Sequence, residues 1–142
     1  MSDLYANMGG YSMSYELWVL ALTALMLLVL YLIQGGYTTF TAPQWGVGAR
    51  DGSRDPSVFA GRAERTVRNH IEALMVFAPL VLVADATGVS NSLTVWGAGL
   101  FLGARLAFVP AYLLGIPVLR TLIWFAGVIG TGMIGYAVLT AG

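Results

Sequence analysis

The sequence predicts an all-α integral membrane protein, a single bundle of four transmembrane helices. Of its 142 residues, 58% are hydrophobic and only 10% are charged, and the mean hydropathy is +0.77. A soluble domain carries about 25% charged residues, so this composition is too apolar for a domain dissolved in water. The apolar residues also gather into separate runs, each close to the about 20 residues that a bilayer span requires.

The same composition excludes several classes of function. The seven basic residues are all arginine and are balanced by seven acidic residues, so the chain lacks the positive charge of a nucleic-acid-binding protein. It contains no cysteine, which excludes disulfides, thiol redox chemistry and thiolate metal sites. Its single histidine excludes a site with two histidine ligands in one subunit. We therefore expect no metal.

Four apolar segments define the predicted helices, which cover residues 15–34, 62–87, 92–114 and 119–141 of one domain, 1–142. The first segment has an uncharged core, Leu17–Ile33, and the last has no charge after Arg120. The connection 35–61 is the only long one, and its many glycines and prolines predict an irregular loop. Gly99 and Gly103 form a GxxxG pair, which is typical of a helix-packing face in a membrane.

The arginines predict the orientation in the membrane. Five of them lie in the connection between the first two helices or at the adjoining end of the second helix, and Arg120 lies at the connection between the last two. The amino-terminal tail and the connection between the second and third helices contain none. Because positive residues are retained on the cytoplasmic side, both arginine-bearing connections are predicted to be cytoplasmic and both termini extracytoplasmic.

A polar stripe runs along the cytoplasmic end of the second helix. Arg65, Arg68, Asn69 and Glu72 are spaced at i, i+3, i+4 and i+7, so they share one helix face. At about 1.5 Å per residue the stripe is roughly 10 Å long, which suits a small charged ligand better than a single ion. The alternative is an amphipathic helix end whose arginines reach lipid phosphates while Glu72 pairs with Arg65 or Arg68.

Arg105 lies near the middle of the third helix, where an arginine costs about 2.5–3.5 kcal/mol on insertion scales. It must therefore face the bundle and meet an acceptor, and Glu72 is the predicted partner. Such a pair either fixes the helix register or takes part directly in catalysis, and the residues leave both readings open. Tyr112 shares the face of Arg105, and Arg120 lies at the same cytoplasmic level, where it completes an anion-binding ring with the stripe.

The stretch Arg65–Glu72, with the pattern R-x-x-R-N-x-x-E and followed by Pro79, resembles the signature of the second helix in the MAPEG family. These are membrane-associated proteins of eicosanoid and glutathione metabolism. The resemblance continues through Gly103-Ala104-Arg105, Ala111-Tyr112-Leu113 and Ile116-Pro117-Val118-Leu119-Arg120, and covers roughly residues 15 to 140. The loop around Arg50 resembles that of bacterial members, which implies a bacterial inner membrane.

The resemblance implies a homotrimer with glutathione bound between neighbouring subunits near the cytoplasmic face. Arg120, beside the thiol, and Arg105 are the expected catalytic residues. The expected glutathione-binding residues are Arg65, Arg68, Asn69, Glu72, Tyr112, Thr121, Trp124 and Arg50. Phe108 and Trp124 stand where prostaglandin-synthase-like members carry histidine and tyrosine. Arginines suit the carboxylates of glutathione and Glu72 its ammonium group, and a guanidinium favours the reactive thiolate.

These observations predict a glutathione-dependent membrane transferase or peroxidase that acts on a lipophilic electrophile entering from the lipid. Glutathione is the only cofactor or co-substrate expected, with membrane lipid and the lipophilic molecule as partners. A non-catalytic member of the same type that binds a lipid or another anion is one alternative. A small four-helix transporter is the other, although the essential carboxylate of small multidrug transporters lies mid-helix, whereas Glu16 lies at the outer edge of the first helix.

Overall fold

The computed structural model describes residues 12–48 and 57–141. This part of the chain forms four long helices, α1 (Tyr15–Thr41), α3 (Val58–Ala86), α4 (Ser92–Leu114) and α5 (Pro117–Thr140), and one short helix, α2 (Pro43–Gly46). All four long helices have the length and hydropathy to cross a membrane. The protein is therefore a four-helix membrane bundle, and most of its outward-facing side chains are large and apolar.

The predicted irregular loop at 35–61 is wrong at both of its ends. Helix α1 continues through Gly35 and Gly36 to Thr41, and α3 begins at Val58. The added turns are stabilised by contacts between the two helices, because the Tyr37 and Phe59 rings lie 4.9 Å apart and the Tyr37 hydroxyl lies 3.3 Å from Ser57 Oγ. Residues 49–56, which include Arg50 and Arg54, lie outside the described residues.

Local sequence signals set the remaining helix ends. Asn91 caps α4 by accepting from the backbone of Leu93 and Thr94, while Thr94 Oγ1 accepts from the Asn91 backbone in return. Gly115 ends α4 with a φ of 75°, a left-handed conformation that favours glycine. Pro117 then occupies the first turn of α5, where its missing N–H has no partner to lose.

The apolar core lies in the half of the bundle that holds the α3–α4 turn. Phe77 and Phe101 stack there with their ring centroids 3.8 Å apart, and Val19, Val81 and Ile134 pack around them. The half that holds the α4–α5 turn contains contacts of Arg62, Arg65 and Arg120 with the end of α4 instead. The core thus fixes one end of the helices and leaves the other end for the candidate site.

Gly97 of α4 and Gly130 of α5 bring these two helices close together in this core. A Cβ built on Gly97 would lie 2.7 Å from the carbonyl oxygen of Gly130, so no larger residue fits without separating the helices. The predicted packing pair, Gly99 and Gly103, makes no contact as close as this. A Cβ on Gly103 would have no atom within 4 Å, and one on Gly99 would lie 3.3 Å from the Tyr15 hydroxyl. The GxxxG pair therefore does not make the α4–α5 contact.

A buried acid joins α1 to α4 at the end of the bundle that holds the α3–α4 turn. Glu16 is only 2% exposed, and its carboxylate accepts hydrogen bonds from Ser90 Oγ, at 3.1 Å, and from Thr94 Oγ1. Asp85, close by, is exposed and accepts from Ser14 Oγ at 3.4 Å. Glu16 is satisfied by hydroxyl donors and fixes helix position, since a buried carboxylate needs such partners.

Candidate functional site

Arg105 is buried near the centre of the bundle, with 2% of its surface exposed. Its guanidinium carbon lies 5.5 Å from the ring centre of Phe101 and 5.1 Å from that of Phe108, one on either side along α4. Its Nη1 donates a hydrogen bond of 3.0 Å to Asn69 Oδ1 on α3. On α5 it faces Gly127, where a Cβ would lie 2.8 Å from Nη2. The bare glycine makes room for the guanidinium.

The predicted ion pair between Arg105 and Glu72 is wrong. The hydrogen bond of Arg105 goes to Asn69, and across residues 12–48 and 57–141 no Glu72 oxygen lies in ion-pair range of the guanidinium. The reason is helical geometry. Asn69 and Glu72 are three residues apart and therefore differ by about 60° around the helix axis, so Asn69 turns toward α4 while Glu72 remains exposed at the side of the subunit.

A polar cavity of about 300 Å³ lies next to Arg105 at the end that holds the α4–α5 turn. Its lining residues come from three helices and are Asn69, Phe108, Tyr112, Arg120, Thr121 and Trp124. The Arg120 guanidinium lies 5.2 Å from the Tyr112 ring centre, and Arg65 Nε donates to the Tyr112 hydroxyl at 3.2 Å. The lining contains a cation and no acid, so this cavity suits an anionic group.

An apolar cavity of about 410 Å³ adjoins the polar one between α3 and α5. Asn69 and Trp124 line both cavities. The other walls of the apolar cavity are made mainly by apolar side chains, among them Ala73, Val76 and Leu80, but the charged side chains of Glu72 and Arg105 also line it. No sequence pattern within a single helix predicts this cavity. Its signal is the small residues of α3 and α5, which become informative only once these two helices are known to face each other.

The structure brings together most, but not all, of the predicted site residues. Asn69, Tyr112, Arg120, Thr121 and Trp124 line one cavity, with Arg65 bonded to Tyr112. Glu72 is exposed but lines the adjoining apolar cavity with Arg105, Asn69 and Trp124. Arg68 is exposed and lines neither of the two cavities. Arg50 lies outside the described residues.

His70 is separate from this site. It is buried, and its Nε2 lies 2.9 Å from the Thr23 carbonyl oxygen, which joins α3 to α1. Within the described ranges no group of three or more histidine, aspartate or glutamate side chains is placed to hold a metal ion.

The arrangement of cations, hydroxyls and an amide beside an apolar cavity is suited to an anion whose reaction partner is lipophilic.

Comparison with known proteins identifies the family to which the chain belongs. No curated protein matches the chain. The model of the MAPEG family matches residues 15–140, which is nearly the whole chain and includes every helix described above. The chain therefore belongs to the MAPEG family.

Proposed function

We propose that this protein is a glutathione-dependent membrane transferase or peroxidase acting on lipophilic electrophiles. Membership of the family supports a glutathione-related function at a membrane in general. The observation that carries the more specific proposal is the pair of adjoining cavities, one cationic and one apolar, which share Asn69 and Trp124. A thiolate in the first cavity lies next to an apolar molecule that enters the second from the lipid.

Two outcomes follow from a thiolate at this position. In conjugation the sulfur forms a bond to an electrophilic carbon, and the leaving group departs with its electron pair. In reduction the sulfur attacks a hydroperoxide oxygen, releases the alcohol, and a second glutathione then yields the disulfide and water. Arg120 is the cation placed to stabilise the thiolate, since it lines the polar cavity and a nearby guanidinium lowers a thiol pKa.

The exposed stripe of α3 supports a site that is completed by a second subunit. Arg68 and Glu72 are exposed on the side of a membrane-spanning helix, where an uncovered charge is costly. In the proposed site Arg68 holds a glutathione carboxylate and Glu72 holds its ammonium group. The neighbouring copy in a homotrimer covers both, and the tripeptide extends from this stripe into the polar cavity.

Arg68→Ala is expected to weaken glutathione binding by about 1.5–3 kcal/mol, the value of a hydrogen bond to a charged group. Calorimetric titration of the purified protein measures it. Arg62→Ala is the matched control, because Arg62 lies on the same helix but donates to the Leu113 carbonyl oxygen within the subunit. Equal losses for the two variants would contradict the role assigned to Arg68.

Turnover in lipid vesicles tests the proposed function. The protein is incubated with glutathione and a lipophilic aryl halide or hydroperoxide, and the products are identified by mass spectrometry. Conjugate or glutathione disulfide that requires the protein supports the proposal. Binding without product would indicate a non-catalytic member of the family, and movement of the unmodified molecule across the bilayer would indicate a transporter.

Both termini are expected to be extracytoplasmic in an inner membrane, with the candidate site near the cytoplasmic face. In support, Arg62 and Arg65 contact the end of α4, and Arg120 lies over Tyr112 at the same end. A reporter protein that works only outside the cytoplasm should be active when it is fused after Gly142. Activity of a cytoplasm-specific reporter at the same position would reverse the orientation.

A further inference from the structure

Asn69 has one donor group that none of the described residues uses. A guanidinium has only N–H donors, so the Asn69 atom that meets Arg105 Nη1 is the carbonyl oxygen Oδ1. The amide N–H₂ of Asn69 therefore lies on the other side of the carboxamide. Among the residues that the structure describes, no acceptor bonds to this nitrogen. Asn69 is half-buried and lines both cavities, so its free donor is available to a ligand.

Contacts around the Arg105 guanidinium hold it in place, so that it can fix the orientation of the Asn69 carboxamide. The ring centres of Phe101 and Phe108 lie 5.5 and 5.1 Å from its guanidinium carbon, and a Cβ on Gly127 would lie 2.8 Å from Nη2. With 2% of its surface exposed, Arg105 has little area left for a ligand. An asparagine without this partner rotates its amide freely, because the two ends of a carboxamide are nearly equal in size.

From these contacts we infer that Arg105 is a positioning residue that acts through Asn69. Arg105 donates a hydrogen bond to the Asn69 carbonyl oxygen, and the Asn69 amide N–H₂ then donates to an acceptor oxygen of the ligand in the polar cavity. This differs from the direct catalytic role predicted for Arg105. The inference rests on the proposed function, in which that acceptor is a carboxylate or peptide oxygen of glutathione.

A double-mutant cycle of glutathione affinity tests the inference, with Asn69→Ala, Arg105→Met and the double variant measured by calorimetry. Each single change is expected to lower affinity by about tenfold, the weaker end of what a charge-assisted hydrogen bond supplies. The double variant should bind no worse than Asn69→Ala alone, because Arg105 has nothing left to position. Additive losses would overturn the inference, since Arg105 would then act independently of Asn69.

Two conservative variants separate positioning from a structural role. Asn69→Asp keeps an acceptor for Arg105 but has no donor for the ligand, so it should unfold at a temperature no lower than wild type and still bind glutathione about tenfold more weakly. Arg105→Lys keeps a donor to Asn69 and should recover most of the affinity, which also provides a result if Arg105→Met does not fold. Wild-type affinity in Asn69→Asp would overturn the inference.

The same titrations distinguish failure of the inference from failure of the proposed function. If wild-type protein does not bind glutathione, the proposed function is wrong and the inference is wrong with it. If wild-type protein binds glutathione and the losses in the cycle are additive, only the role of Arg105 is wrong. Arg62→Met serves as the matched arginine control. It should leave the glutathione affinity unchanged, and its effect on the unfolding temperature should add to the effect of Asn69→Ala.

Discussion

Arg120→Ala is expected to abolish thiolate formation while retaining most of the glutathione affinity. Arg120 is the cation that lines the polar cavity, with its guanidinium 5.2 Å from the Tyr112 ring centre. A nearby guanidinium stabilises the ionised sulfur and not the neutral thiol, so its loss acts on ionisation more than on binding. A rise of one unit in the thiol pKa lowers the thiolate fraction by about tenfold at a pH below that pKa.

Paired measurements on one sample check this prediction: calorimetric affinity and the ultraviolet absorbance of the thiolate. Arg120→Lys is the matched control, because it keeps a positive charge and should retain part of the thiolate signal. If Arg120→Ala forms thiolate as well as wild type does, Arg120 is not the activating residue. Thr121, which lines the same cavity, or the loop residue Arg50 then becomes the better candidate.

Gly130→Ala is expected to have the largest effect on stability. The added Cβ would lie 2.6 Å from the Gly97 carbonyl oxygen and 2.9 Å from the Phe101 backbone nitrogen. Neither is the end of a flexible side chain, so α4 and α5 must separate. Overpacking of this kind costs about 1–3 kcal/mol in free energy of unfolding.

Gly132→Ala on the same helix is the matched control for that stability measurement. A Cβ there would meet no atom within 4 Å, and alanine has the higher helix propensity by about 0.5–1 kcal/mol. Denaturant unfolding should therefore show a large loss for Gly130→Ala and none for Gly132→Ala. Equal free energies of unfolding for the two variants would contradict the close approach of α4 and α5.

The four spans follow from the sequence because apolar runs of sufficient length have one stable arrangement in a bilayer. The helix ends at Asn91 and Gly115 follow as well, since capping and left-handed backbone are local properties. The extension of α1 to Thr41 does not follow. Gly35 and Gly36 indicate a loop when read locally, and the contact of Tyr37 with Phe59 that stabilises the helix joins residues far apart in the chain.

The candidate site is predicted in part for the same reason. Residue spacing places Asn69 on the polar stripe and Tyr112 and Arg120 at the same level of the bundle, and the family resemblance adds Thr121 and Trp124. The structure brings all five to one cavity. The partner of Arg105 depends on how α3 is rotated relative to α4, which spacing within either helix leaves open. Judged by charge alone, Glu72 is the expected partner of Arg105, whereas the rotation of α3 presents Asn69.

The glycines also show what residue spacing within one helix cannot predict. Gly99 and Gly103 have the spacing of a packing pair, yet the close contact is made by Gly97 and Gly130. Spacing identifies a helix face with small residues but does not say which face meets the neighbouring helix. Only the positions of α4 and α5 relative to each other decide between the two pairs.

The most direct test of the account is thiolate formation when glutathione is mixed with the purified wild-type protein. Ultraviolet absorbance reports the thiolate, and proton release is measured in parallel in weakly buffered solution. We expect a thiolate signal that saturates with glutathione concentration, a matching release of protons, and neither signal with S-methylglutathione. Glutathione binding by calorimetry with no thiolate signal and no proton release would contradict the account.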